Sequence, residues 1–317
     1  MGNPLGHSIL LDRTIRQDGI ETLGISSLTL AERAAADGDR ALAMALVGYF
    51  WEEMVRMGAI LFTWMESIYA FRMLRMGMEP ADLPGKLLDG IRSYDPSQTD
   101  REHSIARLEQ GDVVAGLRSA DVMRMRYAVL HDAYVAWIQA LLAGIAADHG
   151  EEAVRESVEY AGRTIWEPRY VVWAEMTPLE RLQLSVEGMR GHLSGMGRRG
   201  DVGIIEEADR YVMVLDPCGS CGILRRGDPE TGRKPARPAG NLQPHPWTWG
   251  RTGMGWYAVH SPIAMEYVHM RAGGPPLRPL EDCDTERACR WFVYKDMKGP
   301  RAEHYLRMGF TPPGAGE

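Results

Sequence analysis

Thirteen of the chain's 19 prolines lie from Pro217 onward, in its last 101 residues. Proline lacks the backbone donor a helix needs and clashes with the preceding turn, so this skew splits the chain in two. The first part is free to build long helices. The second must be made of short elements and turns.

Helical signals fill the first part. From Leu42 onward, Leu46, Tyr49, Trp51, Met54, Met57, Leu61, Trp64 and Ile68 recur near helical spacing. A second stripe runs Tyr127, Leu130, Tyr134, Trp137, Leu141, Ile145, with Gly150 as its stop. Thr29-Leu-Ala-Glu32 and Thr177-Pro-Leu-Glu180 both have capping-box form, the latter with Pro178 at the first helical position. Such stripes are core before they are anything else.

Around residue 200 the period changes. Tyr211–Asp216, Trp256–His260 and Cys289–Tyr294 read as strands. Ser261-Pro262 reads as the N-cap and first turn of a short helix through Arg271, closed by Gly273-Gly274. Arg225 to Gln243 is polar and rich in Pro and Gly, a long excursion. The expected fold class is α+β: an N-terminal extension (1–27), a helical part (28–198) and an α+β part (199–317).

Composition narrows the functional classes. Lys and Arg number 36 against 43 Asp and Glu, a net charge of −7, which argues against a nucleic-acid-binding footprint. The stretch Met57–Met65, charge-free within the most apolar region, is far shorter than the roughly 20 residues that span a bilayer. No basic leader precedes an apolar run at the start, so a cytoplasmic chain is expected, with its thiols reduced.

All four cysteines fall in 72 residues, Cys218 to Cys289. Cys218-Gly-Ser-Cys221 sits on a turn after a strand, and Cys283 and Cys289 form a wider pair. His260 lies between them. Thiolates and imidazole suit Zn²⁺, and a two-residue gap lets both sulfurs turn toward one ion. Five candidate ligands (Cys218, Cys221, His260, Cys283 and Cys289) exceed four positions. The trio Cys218, His260 and Cys289 would leave one position open for water. Competing readings are buried thiols with no metal, a redox Cys-x-x-Cys pair and an Fe–S cluster. No βαβ unit surrounds the pair, and the spacings fit no common ferredoxin run.

Between the two halves of the thiol set, His245, Trp247, Trp249, Trp256 and Tyr257 form an aromatic segment. It reads either as the wall of a small-molecule pocket or as a core patch. Two thiolates weaken zinc as a Lewis acid, so a hydrolytic site would need an acid or base nearby. Glu281, Asp282 and His192 are candidates, with His260 also placed for catalysis. His131-Asp132 are adjacent on a helix and are expected not to face each other. Glu52 and Glu53 interrupt an apolar stripe, where a buried carboxylate needs a partner. His103, His149 and His304 read as solvated.

The order Asp216-Pro-Cys218-Gly-Ser, Trp-Gly, an aromatic run ending in His260, Gly-x-Pro-Leu, and Cys289-Arg-Trp-x-x-Tyr-Lys resembles a bacterial family. That family is described as 2-amino-thiazoline-4-carboxylate hydrolase-like. Leu130-His131-Asp132 with Trp137, and Gly150-Glu-Glu-Ala, resemble its helical half, so the likeness covers most of residues 120–310. More distantly, the C-terminal half is similar to vinyl-4-reductase-type small-molecule-binding domains, in which thiolates hold zinc beside a ligand pocket. The resemblance implies a hydrolase of a small C–N or C–S bonded heterocycle. Residues alone imply only a metal and a pocket, and a variant uses Cys218 or Cys221 as nucleophile with His260 as base and no metal. The alternative class is a binding or sensory module with a structural zinc. Expected partners are a small-molecule substrate or ligand and a second copy of the chain in a homodimer.

Overall fold

A computed structural model describes residues 2–79 and 98–314. Two 37-residue helices, Arg40–Met76 and Val113–His149, form its spine and pack against each other. Each starts on an aspartate whose side chain accepts a free first-turn N–H: Asp39 from Leu42 and Asp112 from Ala115. Each ends on a glycine with positive φ, Gly77 at 67° and Gly150 at 85°. The apolar stripes lie where the spacing predicts, with Leu46, Tyr49, Met54, Met57, Leu61, Trp64 and Ile68 all buried. Val113–His149 is, by length and composition, long and apolar enough to cross a membrane; half of that apolar window is buried within the protein.

The described residues of the helical part also form the shorter helices Ser27–Ala36, Gln98–Glu109, Glu151–Ile165, Glu167–Trp173 and Pro178–Gly191. Thr177 forms the expected capping box with Glu180, exchanging bonds of 3.3 and 2.7 Å. The other expected box is displaced. Ser26, not Thr29, caps Ser27–Ala36 by accepting the Thr29 N–H at 3.0 Å, and Glu32 pairs with Arg199 instead.

The N-terminal residues are more than an extension. Strands β1 (Leu5–Ser8) and β2 (Arg13–Arg16) form an antiparallel hairpin, and Ile15 and Leu23 enter the main core. Arg16 is fully buried and donates to the carbonyls of Ile25 and Thr22 at 2.7 and 2.9 Å.

In the C-terminal part, β3 (Gly203–Glu206), β4 (Arg210–Leu215), β5 (Leu280–Glu281) and β6 (Cys289–Tyr294) form an antiparallel sheet ordered β3-β4-β6-β5. Alternation along the strands divides its faces. Met213, Leu215, Trp291 and Val293 join the core shared with the helices, while Val212, Phe292 and Tyr294 form a separate cluster.

The expected strand Trp256–His260 is instead a turn that runs into a helix. Its backbone donors bond locally, Ala258 and Val259 to the Gly255 carbonyl, and Tyr257 N–H donates to Gln139 Oε1 at 2.6 Å. Aromatic and β-branched residues gave the run a strand-like composition, but buried local partners satisfy its backbone. The helix starts at His260, with no side-chain cap, so Ser261 lies inside it rather than at its N-cap. It passes through a π-helical turn, Ile263–Tyr267, before ending at Arg271.

Candidate functional site

A cavity of about 890 Å³, counting the solvent at its mouth, lies where the helical part meets the sheet. Its residues come from both parts. Met57, Leu61 and Trp64 project from the first long helix; Trp166, Arg169, Tyr170 and Trp173 come from the Glu167–Trp173 region. Met189 and His192 close it at the end of Pro178–Gly191. Cys218, Ser220, Cys221, Tyr257, His260, Arg278 and Trp291 are the C-terminal contribution.

Sheet register assembles the thiols. Leu215 of β4 pairs with Cys289 of β6, so the turn carrying Cys218 emerges beside Cys289. Cys221 opens the short helix Cys221–Arg226, and Cys283 follows β5. All four are buried and reduced. Cys221 Sγ stands 3.8 Å from Cys283 Sγ, and its protonation responds to Cys218 and Cys289 as well. Trp291 Nε1 donates to Cys289 Sγ at 3.1 Å. Hydrogen bonding with Cys221 draws the Cys218 thiol down to about 6, and the same bond pushes Cys221 up.

Gly219 fixes this turn against the helical part. A Cβ there would fall 1.7 Å from the His192 carbonyl oxygen, so only glycine lets the thiol turn lie directly on the end of Pro178–Gly191.

Zinc with four thiolates at about 2.3 Å would separate the sulfurs by about 3.8 Å, the distance seen between Cys221 and Cys283. Donor type and this one distance are those of a Zn²⁺ site. As the side chains stand, no group of three or more His, Cys, Asp or Glu among the described residues is arranged to hold a metal ion. His260 stands apart from the sulfurs. Its Nδ1 is 2.6 Å from the Tyr257 carbonyl, its Nε2 is 3.4 Å from Ser261 Oγ, and its ring stacks on Trp166 at 5.6 Å. The trio Cys218, His260 and Cys289 is therefore not assembled.

The imidazoles are the second group. Burial lowers His192 well below its usual range and His260 to about 4, so both rings are neutral near pH 7. A buried polar file runs from His192 to Asp132. His192 Nδ1 is 2.8 Å from His131 Nε2, and His131 Nδ1 is 3.1 Å from Asp132 Oδ1. Asp132 also accepts from Arg198 at 2.8 and 3.2 Å. The expectation that His131 and Asp132 cannot face each other is thus corrected. Their Cβ atoms diverge around the helix, but the imidazole bends back far enough for Nδ1 to reach the carboxylate.

Two guanidiniums form the third group. Arg278 lies over Trp291 at 4.5 Å and Trp173 at 5.9 Å, and its Nε is buried without a hydrogen-bond partner among the described residues. Burial lowers it to about 10, and no carboxylate is among the groups acting on it. Arg169, lowered by burial in the same way, feels Glu187 but makes no ion pair with it among the described residues. The π turn positions Arg278. It leaves the Met265 carbonyl free to accept N–H bonds from Leu277 and Arg278 at 2.9 and 3.3 Å.

Other expected site residues lie elsewhere. His245 stacks on Trp247 at 4.3 Å and bonds Glu151 at 2.6 Å, while Trp247 Nε1 donates to Glu152 at 3.1 Å. Trp249 packs under Arg307, and Trp256 is core. Of that aromatic segment only Tyr257 reaches the cavity. Glu281 is on β5 opposite Arg290, and Asp282 follows it in a turn; neither lines the cavity. Glu53 is fully buried against Arg190, as its position demanded. His304, expected to be solvated, is fully buried with its Nε2 2.9 Å from the Tyr294 hydroxyl.

Sequence reasoning missed Arg169, Arg278 and the walls Trp64, Trp166, Trp173 and Trp291. It set aside His131 and Asp132, whose signal was a polar pair inside an apolar stripe. Comparison with family models, curated proteins and solved structures gives no match.

Proposed function

We propose that this protein hydrolyses a C–N or C–S bond of a small heterocyclic substrate, with the cavity as active site and His192 as general base. One observation carries the reading: neutral His192 opens on the same cavity as two thiols and two guanidiniums that have no ion-pair partner among the described residues. The tryptophan walls hold a flat apolar ring. Arg169 and Arg278 hold an anionic substituent such as a carboxylate, for which Arg278 has a free buried donor. His192 accepts a proton from the attacking water. In this reading Cys218, Cys221, Cys283 and Cys289, without His260, form the set that would hold zinc. Bound there, zinc would supply positive charge at the thiol end of the cavity.

The test is hydrolysis of 2-amino-thiazoline-4-carboxylate, the substrate that the sequence resemblance implies. Turnover by the intact chain and a loss of about 10²–10⁴-fold in kcat for His192→Gln, with the circular dichroism unchanged, are expected. No turnover by the intact chain removes the reading. Elemental analysis should find one zinc per chain, lost in Cys221→Ser.

The gathering of four thiols favours a second reading, since four thiolates would saturate zinc and leave it structural. The cavity would then bind an apolar anion without changing it. Calorimetric binding of the same carboxylate with no turnover would select this reading.

A further inference from the structure

The base assigned above has two ring nitrogens, and only one can serve. The file from His192 to Asp132 determines which. A carboxylate only accepts hydrogen bonds, so the 3.1 Å contact between Asp132 Oδ1 and His131 Nδ1 requires the proton on Nδ1. Arg198 supports that state by donating twice to the same carboxylate. His131 is fully buried, and desolvation favours its neutral form, which leaves Nε2 as a lone pair. That lone pair lies 2.8 Å from His192 Nδ1, which must therefore carry the proton of this bond. In neutral His192 the remaining nitrogen, Nε2, is then unprotonated. Among the described residues it accepts no hydrogen bond, and His192 lines the cavity.

We propose that Asp132 and His131 are positioning residues that fix the tautomer of His192, so that its unprotonated Nε2 meets the substrate, with Arg198 anchoring Asp132. The proposal rests on the reading of His192 as base. When His192 Nε2 takes a proton from water, the hydroxide bonds to the carbon of the substrate's C=N group, whose π pair moves to nitrogen, and the positive charge stays on the two imidazoles, facing the Asp132 carboxylate. When that pair re-forms the double bond and the C–S or C–N bond breaks, the Nε2 proton passes to the departing sulfur or nitrogen. No proton need reach Asp132, because Arg198 continues to occupy the same oxygens.

The test reads the tautomer directly, in the full chain and without substrate. In chain labelled with ¹⁵N-histidine, long-range ¹H–¹⁵N correlation at pH 7 assigns each ring nitrogen as protonated or bare. The His192 signals are those lost in His192→Gln. The expected result is a protonated Nδ1 and a bare Nε2. A His192 found protonated on Nε2, or on both nitrogens, overturns the proposal, and this measurement does not depend on any variant folding.

Asp132→Ala gives the second arm. It removes the acceptor of the His131 Nδ1 proton while Asp228 still pairs with Arg198 at 3.3 Å, so His131 takes the Nε2–H form that a neutral imidazole prefers and donates to His192 Nδ1. His192 should then carry its proton on Nε2, and kcat should fall about 10²–10⁴-fold with KM little changed. A folded Asp132→Ala chain that keeps the Nδ1 proton on His192 overturns the role of Asp132. Because no substrate is needed, the tautomer can be upheld even if the thiazoline carboxylate is not hydrolysed, and the two readings fail separately.

Discussion

Asp132 shows how a single residue combines stability with a place in the site. Burial works against its charge, but hydrogen bonds from His131 and Arg198 outweigh this and bring its pKa from 3.8 to about 2. A carboxyl depressed in the folded state adds stability that is complete above the unfolded value and is lost as pH falls through the folded one. Unfolding free energy should therefore drop by about 2 kcal/mol between pH 4 and pH 2 on this account. In Asp132→Asn that part of the pH dependence should vanish, as urea titrations across this range would show. The residues in this file were visible in the sequence, but their relation was not. His131 and His192 are 61 positions apart and meet only because two helices bring them together. Arg169 and Arg278 gave no signal at all, since a guanidinium on a short helix or loop is ordinarily solvated.

At the scale of elements, the long helices were legible because their apolar period and, for the second, the stop at Gly150 are local properties. Both stripes and the Thr177 capping box are found where the spacing puts them. The strands β4 and β6 were legible for the same reason, but the run Trp256–His260 was not. A short aromatic stretch has no period long enough to separate strand from turn, and the Gln139 side chain that secures it comes from a distant helix. The thiol turn depends on another such contact. Gly219→Ala would drive a methyl group into the His192 carbonyl, where backbone on both sides must move. It should destabilise the protein by about 3 kcal/mol, measured by chemical unfolding, and should open the cavity at His192.

Across the whole molecule, a buried ionic cluster ties the N-terminal residues to the helices. Arg190 bonds Glu53 and the Leu23 carbonyl, and Arg16 pairs with Asp18 beside it. Arg190→Met would leave the Glu53 carboxylate buried with its main partner gone. The expected cost is about 3–5 kcal/mol in the unfolding free energy, whereas the paired change Glu53→Leu with Arg190→Met should recover most of it. An urea transition of Arg190→Met matching the unmodified chain would show that the pair is not held as described.

The sequence by itself determined the α+β class, the long helices, the two central strands of the sheet and the clustering of the thiols in the second part. Those follow from local period, capping and proline placement, which each segment carries within itself. The tertiary structure decided which side chains share a cavity. It brought Trp64, Arg169 and His192 of the helical part against Cys218, Tyr257 and Arg278, and it left Trp247, Trp249 and Glu281 outside. Such meetings depend on register between β4 and β6, on a glycine that permits close approach, and on the packing of helices distant in sequence. None of these is a property of any one segment.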